Sequence, residues 1–179
     1  MYRRPYIESS PAYRTIFNGI GLSRELPEWL KDYFSKLVDA GLGVYQTPYT
    51  HQVRSLESVF NGQDVFVSTG TGSGKTECFI WPIMAKMANE AKNSPKTWDM
   101  RGVRTIIMYP MNALVSDQVS RLRRLMGDKE GRFQQIFNSI SDGGRRPQFG
   151  MYTGRTPYPG PSSNPCENKK LADTYQEMI

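Results

Sequence analysis

Ser68-Thr69-Gly70-Thr71-Gly72-Ser73-Gly74-Lys75-Thr76 follows the short run Asp64-Val65-Phe66-Val67 and precedes Glu77-Cys78-Phe79-Ile80-Trp81, and this succession decides the fold. Residues 64–68 are β-branched and aromatic and are bounded by Gly62 and by the glycine-rich stretch, as a buried parallel strand is. A helix is expected from Lys75 to about Ala91. A triphosphate concentrates negative charge. A loop that binds it needs inward backbone N–H groups, an ammonium for the outer phosphates and a hydroxyl for Mg²⁺. Gly72 and Gly74 let the backbone approach closely, Lys75 is placed to reach the β- and γ-phosphates, and Thr76 is the candidate metal ligand. The general pattern G-x-x-x-x-G-K-[ST] calls for glycine at position 69, where this chain has Thr69.

Working outward, Leu30, Phe34, Leu37 and Val38 recur at helical spacing, so a helix is expected from about Pro27 to Ala40, stopped by Gly41-Leu42-Gly43. Thr47-Pro48 precedes a second helix through Val53, Leu56 and Phe60, ended by Asn61-Gly62. Residues 92–102 read as a polar connection and Val103–Tyr109 as a second strand. Asn112–Met126 reads as a helix with a buried stripe of Leu114, Val115, Val119, Leu122 and Leu125. Beyond Gly127 the pattern weakens. Ser141-Asp142-Gly143-Gly144 marks a turn, residues 148–152 a short strand, 154–166 a proline-rich loop and Glu167–Ile179 a helix without a terminal cap. The alternation of strands and helices predicts an α/β fold, a parallel sheet flanked by helices and incomplete at its C-terminal end.

The 179 residues suit one domain, and a composition 38% hydrophobic and 22% charged is that of a folding chain. A net charge of +6 suits work on a polyanion but does not require it. Cys78 and Cys166 lack metal-ligand spacing and suggest neither a zinc site nor a disulfide framework. Met1-Tyr2-Arg3-Arg4-Pro5 is followed by no signal-like apolar stretch, and the longest apolar runs fall far below the roughly 20 residues of a membrane helix. A cytoplasmic setting is expected.

Thr69–Glu77 resembles motif I of superfamily 2 (DEAD/DEAH-box-like) helicases, and three further stretches follow the family's order. Pro48-Tyr49-Thr50-His51-Gln52 is similar to the Q-motif region, Tyr109–Gln118 to motif Ia, and Tyr152-Thr153-Gly154-Arg155 to motif Ib. Tyr-Pro-Met-Asn-Ala-Leu, with Tyr-Thr-Gly-Arg-Thr-Pro-Tyr-Pro-Gly further on, looks like large bacterial helicases of the DISARM and Druantia phage-defence type and their repair relatives. The resemblance covers residues 45–160. It implies a partial RecA-like ATP-binding domain over 45–179, preceded by a partly helical extension over 1–44.

The same resemblance implies ATP and Mg²⁺ as cofactors, held by Gln52 and by Thr69, Gly70, Thr71, Gly72, Ser73, Gly74, Lys75 and Thr76. It also implies nucleic acid as partner, DNA ahead of RNA, contacted by Pro110, Asn112, Thr153, Gly154 and Arg155, and partner subunits of a defence or repair complex. An amide can pair with adenine N6 and N7, so Gln52 fits an ATP preference, with Tyr45 or Tyr49 to stack on the base. As a bare residue, Gln52 is an ordinary helix-surface amide. Asn112 reads both as a helix N-cap and as a strand contact, and His51 as packing or capping. Arg121, Arg123, Arg124, Lys129, Arg132, Arg145 and Arg146 form a basic set that is either a solvated face or a nucleic-acid face. Trp81 and Trp98 read as packing residues.

Hydrolysis in this family needs an acidic motif II, Asp-Glu-x-His or similar, and no such tetrapeptide follows Gly154; Glu167, Asp173 and Glu177 do not match it. Motif III and a second RecA-like domain with its arginine fingers are also missing. The expectation is an N-terminal piece of a larger helicase, inactive alone. The alternative is a truncated, non-motor module that binds nucleotide or nucleic acid.

Overall fold

The computed structural model describes residues 12–142 and 144–153. The loop expected over 154–166, the helix expected over 167–179, Gly143 of the expected turn, and Gly154, Arg155 and Cys166 lie outside the described residues. The helices are α1 (Glu28–Asp39), α2 (Thr50–Phe60), α3 (Glu77–Asn93), α4 (Pro95–Asp99), α5 (Asn112–Met126) and α6 (Arg132–Ser141). No helix among the described residues is long and apolar enough to cross a membrane.

The four helices expected from periodicity form within one or two residues of the expected limits. In α1, Leu30, Tyr33, Phe34 and Leu37 fall on one face and are buried. The helix ends in a paired bond pattern, Leu42 N–H to Leu37 C=O at 2.9 Å and Gly41 N–H to Val38 C=O at 3.0 Å. Gln63 to Ser58 and Gly62 to Val59 end α2 in the same way. These bonds satisfy the carbonyls that a helix C-terminus leaves open.

Helix α3 is the centre of the core: Trp81, Met84, Ala85, Ala88 and Ala91 are buried among residues of α1, α2 and α6. Burial of each large apolar side chain stabilises by about 1.5–3 kcal/mol. The alanines let neighbouring helices approach, and the Trp81 indole donates to Gly43 C=O at 3.0 Å. Pro82 lies inside α3 and has no N–H to give to the carbonyl four residues back. That carbonyl belongs to Cys78, and it accepts instead from Ser55 Oγ at 2.6 Å. A proline that would otherwise break the ladder thus ties α3 to α2.

Two helices were not expected. Helix α4 begins at Pro95 and buries Trp98, whose indole donates to Arg145 C=O at 2.7 Å. Helix α6 buries Phe133 and Phe137 against Trp98 and the core. Its first turn is satisfied from outside the helix: Asp128 accepts from Arg132 N–H at 2.9 Å and Phe133 N–H at 3.1 Å.

The expected parallel sheet is not formed among the described residues. Residues 64–68, 103–109 and 148–152 lie outside any ladder, and an isolated β-bridge joins Thr15 to Tyr49 among the described residues. Phe66 is 93% and Met108 87% exposed. An apolar run becomes a buried strand only when other strands pair with it and helices cover its faces, and within the described residues these runs have neither. The stripe expected on α5 is only partly covered: Leu125 is buried, Val115, Val119 and Leu122 are half-buried, and Leu114 is exposed. Residues 14–18 run beside 46–50, with Ile16 N–H bonded to Pro48 C=O at 3.0 Å and Thr50 N–H to Arg14 C=O at 2.9 Å.

Candidate nucleotide site

The phosphate loop runs from the end of the 64–68 segment into the N-terminus of α3. Gly72 and Gly74 have φ of 75° and 69°, the left-handed region that glycine enters without steric cost. Lys75 Nζ donates to Thr69 C=O at 2.7 Å and to Gly70 C=O at 2.6 Å, so the ammonium already spans the loop. Phosphate oxygens offer it the same kind of partner with the added strength of a charge-assisted bond. Thr76 stands at the position just before α3, where the helix N-terminus favours anions. These features fit a nucleoside triphosphate with Mg²⁺.

Thr69, the departure from the general pattern, has a structural role. Its Oγ1 lies 2.6 Å from Ser73 Oγ, and Ser73 is 1% exposed, so the two hydroxyls close the loop from within. Two residues of α2 grip the loop. His51 Nε2 lies 2.8 Å from Ser73 O, and because a carbonyl only accepts, that nitrogen carries the proton. Gln52 is 2% exposed; its Nε2 donates to Gly74 C=O at 3.0 Å and its Oε1 accepts from Tyr49 N–H at 2.8 Å. Gln52 is therefore not the surface amide its sequence context alone suggests.

Tyr49 stacks on His51 with ring centroids 5.5 Å apart, and Tyr13 meets both edge-on at 5.7 Å. Tyr13 closes on the loop itself: a Cβ at Gly70 would stand 2.6 Å from its hydroxyl. Tyr45 is exposed and lies beside Trp81. A cavity of about 250 Å³ opens between α2 and residues 65–69, lined in part by His51, Arg54, Ser58 and Thr69.

On the far side of the loop, Glu77 is buried and paired with Arg121 of α5 at 2.6 Å. Next to it, burial raises the pKa of the Cys78 thiol, and the Glu77 carboxylate raises it further, so Cys78 is a packing residue, not a nucleophile. Tyr109 meets Phe79 of α3 edge-on at 6.4 Å, and burial raises its pKa as well.

Of the residues expected to touch nucleic acid, Pro110 and Asn112 are exposed at the start of α5 and Thr153 is half-buried. Met111 holds the N-cap position of α5, and Asn112 is the first helical residue, so the N-cap reading of Asn112 is corrected. The basic set is not one solvated face. Arg121 pairs with Glu77, Arg132 with Asp128 and Glu130, and Arg145 donates to Asp99 C=O, which leaves Arg123 and Arg124 on α5 exposed together with Lys129 and Arg146. Tyr13, Ser55 and Glu77 were missed from sequence. Glu77 alone had a signal there, since it directly follows Lys75-Thr76.

The family model of the DEAD/DEAH box helicases matches residues 49–150, which include the loop, Gln52 and all of α5. The chain is 45% identical to the Druantia protein DruE of Escherichia coli over 97% of its own length and 9% of the relative's. It is 30% identical to the uncharacterized ATP-dependent helicase YprA of Bacillus subtilis, over 45% of the chain and 9% of the relative. To DEAD-box ATP-dependent RNA helicase 39 of Arabidopsis thaliana it is also 30% identical, over 74% of the chain and 19% of the relative. The chain thus spans from about a tenth to a fifth of the length of these relatives. No solved structure matches it.

Proposed function

This chain belongs to the DEAD/DEAH box helicase family, and from that premise we propose that it is a nucleotide-binding part of an ATP-dependent motor that moves on nucleic acid. The family implies a RecA-like fold, ATP use and nucleic-acid binding. Within it, residues 45–179 are read as a partial RecA-like domain behind an extension over 1–44. The observation that carries the reading is the loop from Thr69 to Thr76, held by His51 and Gln52 and leading into α3.

Each residue has a defined task. The loop amides from Gly70 to Gly74 and the N-terminus of α3 bind phosphate oxygens. Lys75 turns from its two carbonyl partners to the outer phosphates, and Thr76 holds Mg²⁺. The bound ATP and metal supply the phosphoryl chemistry. Gln52 meets the adenine edge while it holds Gly74, and Pro110, Asn112, Thr153, Gly154 and Arg155 contact the strand backbone. Hydrolysis also needs a carboxylate motif that these 179 residues lack, so turnover is read as the work of a longer protein that includes them.

We read the chain as part of a cytoplasmic defence or repair complex that takes DNA ahead of RNA; the relatives it matches include both a Druantia protein and RNA helicases. The test is ATP hydrolysis by the longer protein with and without single-stranded DNA or RNA. Strand-stimulated hydrolysis is expected, stronger with DNA. Absence of ATP hydrolysis with every strand would overturn the motor reading and leave the non-motor module.

A further inference from the structure

Glu77 lies at the start of α3, one residue beyond Thr76, and its carboxylate faces two ways. Oε1 accepts from Arg121 Nη2 at 2.6 Å, and Oε2 lies 3.5 Å from Gln52 Nε2. The Gln52 amide in turn holds Gly74 C=O, the last carbonyl before Lys75. Packing at this point is tight: a Cβ on Gly74 would stand 2.3 Å from Gln52 Nε2 and 3.1 Å from Glu77 Oε2. A shift of the Glu77 carboxylate is therefore felt by the loop backbone at Gly74.

Arg121 reaches Glu77 from the middle of α5, the helix that opens with Asn112. The connection before that helix is also pinned to α3, through Tyr109 against Phe79. The segment proposed to grip the strand is thus fixed to the first turn of the phosphate helix on both sides. The Glu77 side chain is 8% exposed, so its charge depends on Arg121 for compensation. An ion pair between two packed elements, here a buried carboxylate and a half-buried guanidinium, is either made or parted.

Resting on the helicase reading, we propose that Arg121 is a positioning residue that, through Glu77, couples the strand-facing helix α5 to the phosphate loop. Strand binding that moves α5 changes the pull on Glu77 and so the set of Gly74 and Lys75. By reciprocity, nucleotide in the loop changes strand affinity by the same factor.

The experiment measures, in the longer protein, the affinity for a non-hydrolysable ATP analogue with Mg²⁺, with and without saturating oligothymidylate. The wild type should show a coupling factor of about 5 to 150. Arg121→Met should bring that factor close to 1, whatever the change in the affinity without strand. Glu77→Gln, which keeps the side-chain shape and removes the charge, should lower the factor in the same direction and decides the matter if Arg121→Met does not fold. A merely structural pair would weaken both affinities alike and leave the coupling factor unchanged in a folded variant, which would overturn the proposal. A wild type that binds both ligands without coupling would overturn this inference alone. One that binds neither would overturn the helicase reading with it.

Discussion

Gln52 Nε2 donates to the carbonyl of Gly74 at 3.0 Å while Gln52 Oε1 accepts from Tyr49 N–H at 2.8 Å, so one buried amide joins the start of α2 to the end of the phosphate loop. With both ends engaged, the side chain cannot rotate without giving up one of these backbone bonds. The loop is therefore shaped before any nucleotide arrives, and the residue proposed to meet adenine is also the one that sets Gly74.

Gln52→Ala should act in two ways. Loss of the bond to Gly74 loosens the loop for every nucleotide, while loss of the amide edge removes about 1–3 kcal/mol of discrimination for adenine. Affinity should fall for both ATP and GTP, and more for ATP. Competition binding of the two nucleotides checks this. An equal loss for both would leave Gln52 as loop support without a part in base selection.

Ser55→Ala should destabilise the fold although no apolar contact is lost. The Cys78 carbonyl, freed by Pro82, would have no donor, and an unsatisfied buried acceptor costs about 1–3 kcal/mol. Urea unfolding should show an earlier midpoint. An unchanged midpoint would mean that this carbonyl is satisfied by other means.

Asp128 gives the stability a defined acid dependence. Burial pushes its carboxyl up, but the amides of Phe133 and Arg132 and the Arg132 guanidinium outweigh that and hold its pKa below the usual carboxylate value. A depressed folded pKa means stability that is fully present above the unfolded value of about 3.9 and lost as pH falls through the folded value. Asp128→Ala should cost about 0.5–2 kcal/mol at neutral pH, the range of a lost helix cap, and the difference from wild type should shrink in acid. A pH-independent difference would contradict the role of the charge.

How much of this was legible in the sequence depended on the range of the interactions involved. Helices α1, α2, α3 and α5 declare themselves by local periodicity and by terminators such as Gly41 and Gly62, and the loop by glycine spacing and Lys75. Helix α6 carries an apolar spacing at Phe133, Ile136, Phe137 and Ile140, but its capping group Asp128 lies four residues before Arg132, outside the usual N-cap window. The segments 64–68 and 103–109 have the composition of strands, yet a ladder depends on partners distant in sequence, and neither segment is paired among the described residues. The grip of Ser55 on Cys78 and of Arg121 on Glu77 joins residues 23 and 44 apart, which no local pattern announces.

The central claim is that this chain holds a nucleoside triphosphate by the loop around Lys75, and titration of a fluorescent ATP analogue with Mg²⁺ against wild type and Lys75→Ala tests it most directly. Loss of the ammonium removes a charge-assisted contact worth about 1.5–3 kcal/mol, so the dissociation constant should rise by about 10- to 150-fold. Saturable binding by the wild type with that loss in the variant is the predicted result. Saturable binding of equal strength by both proteins, or none by the wild type, would contradict it.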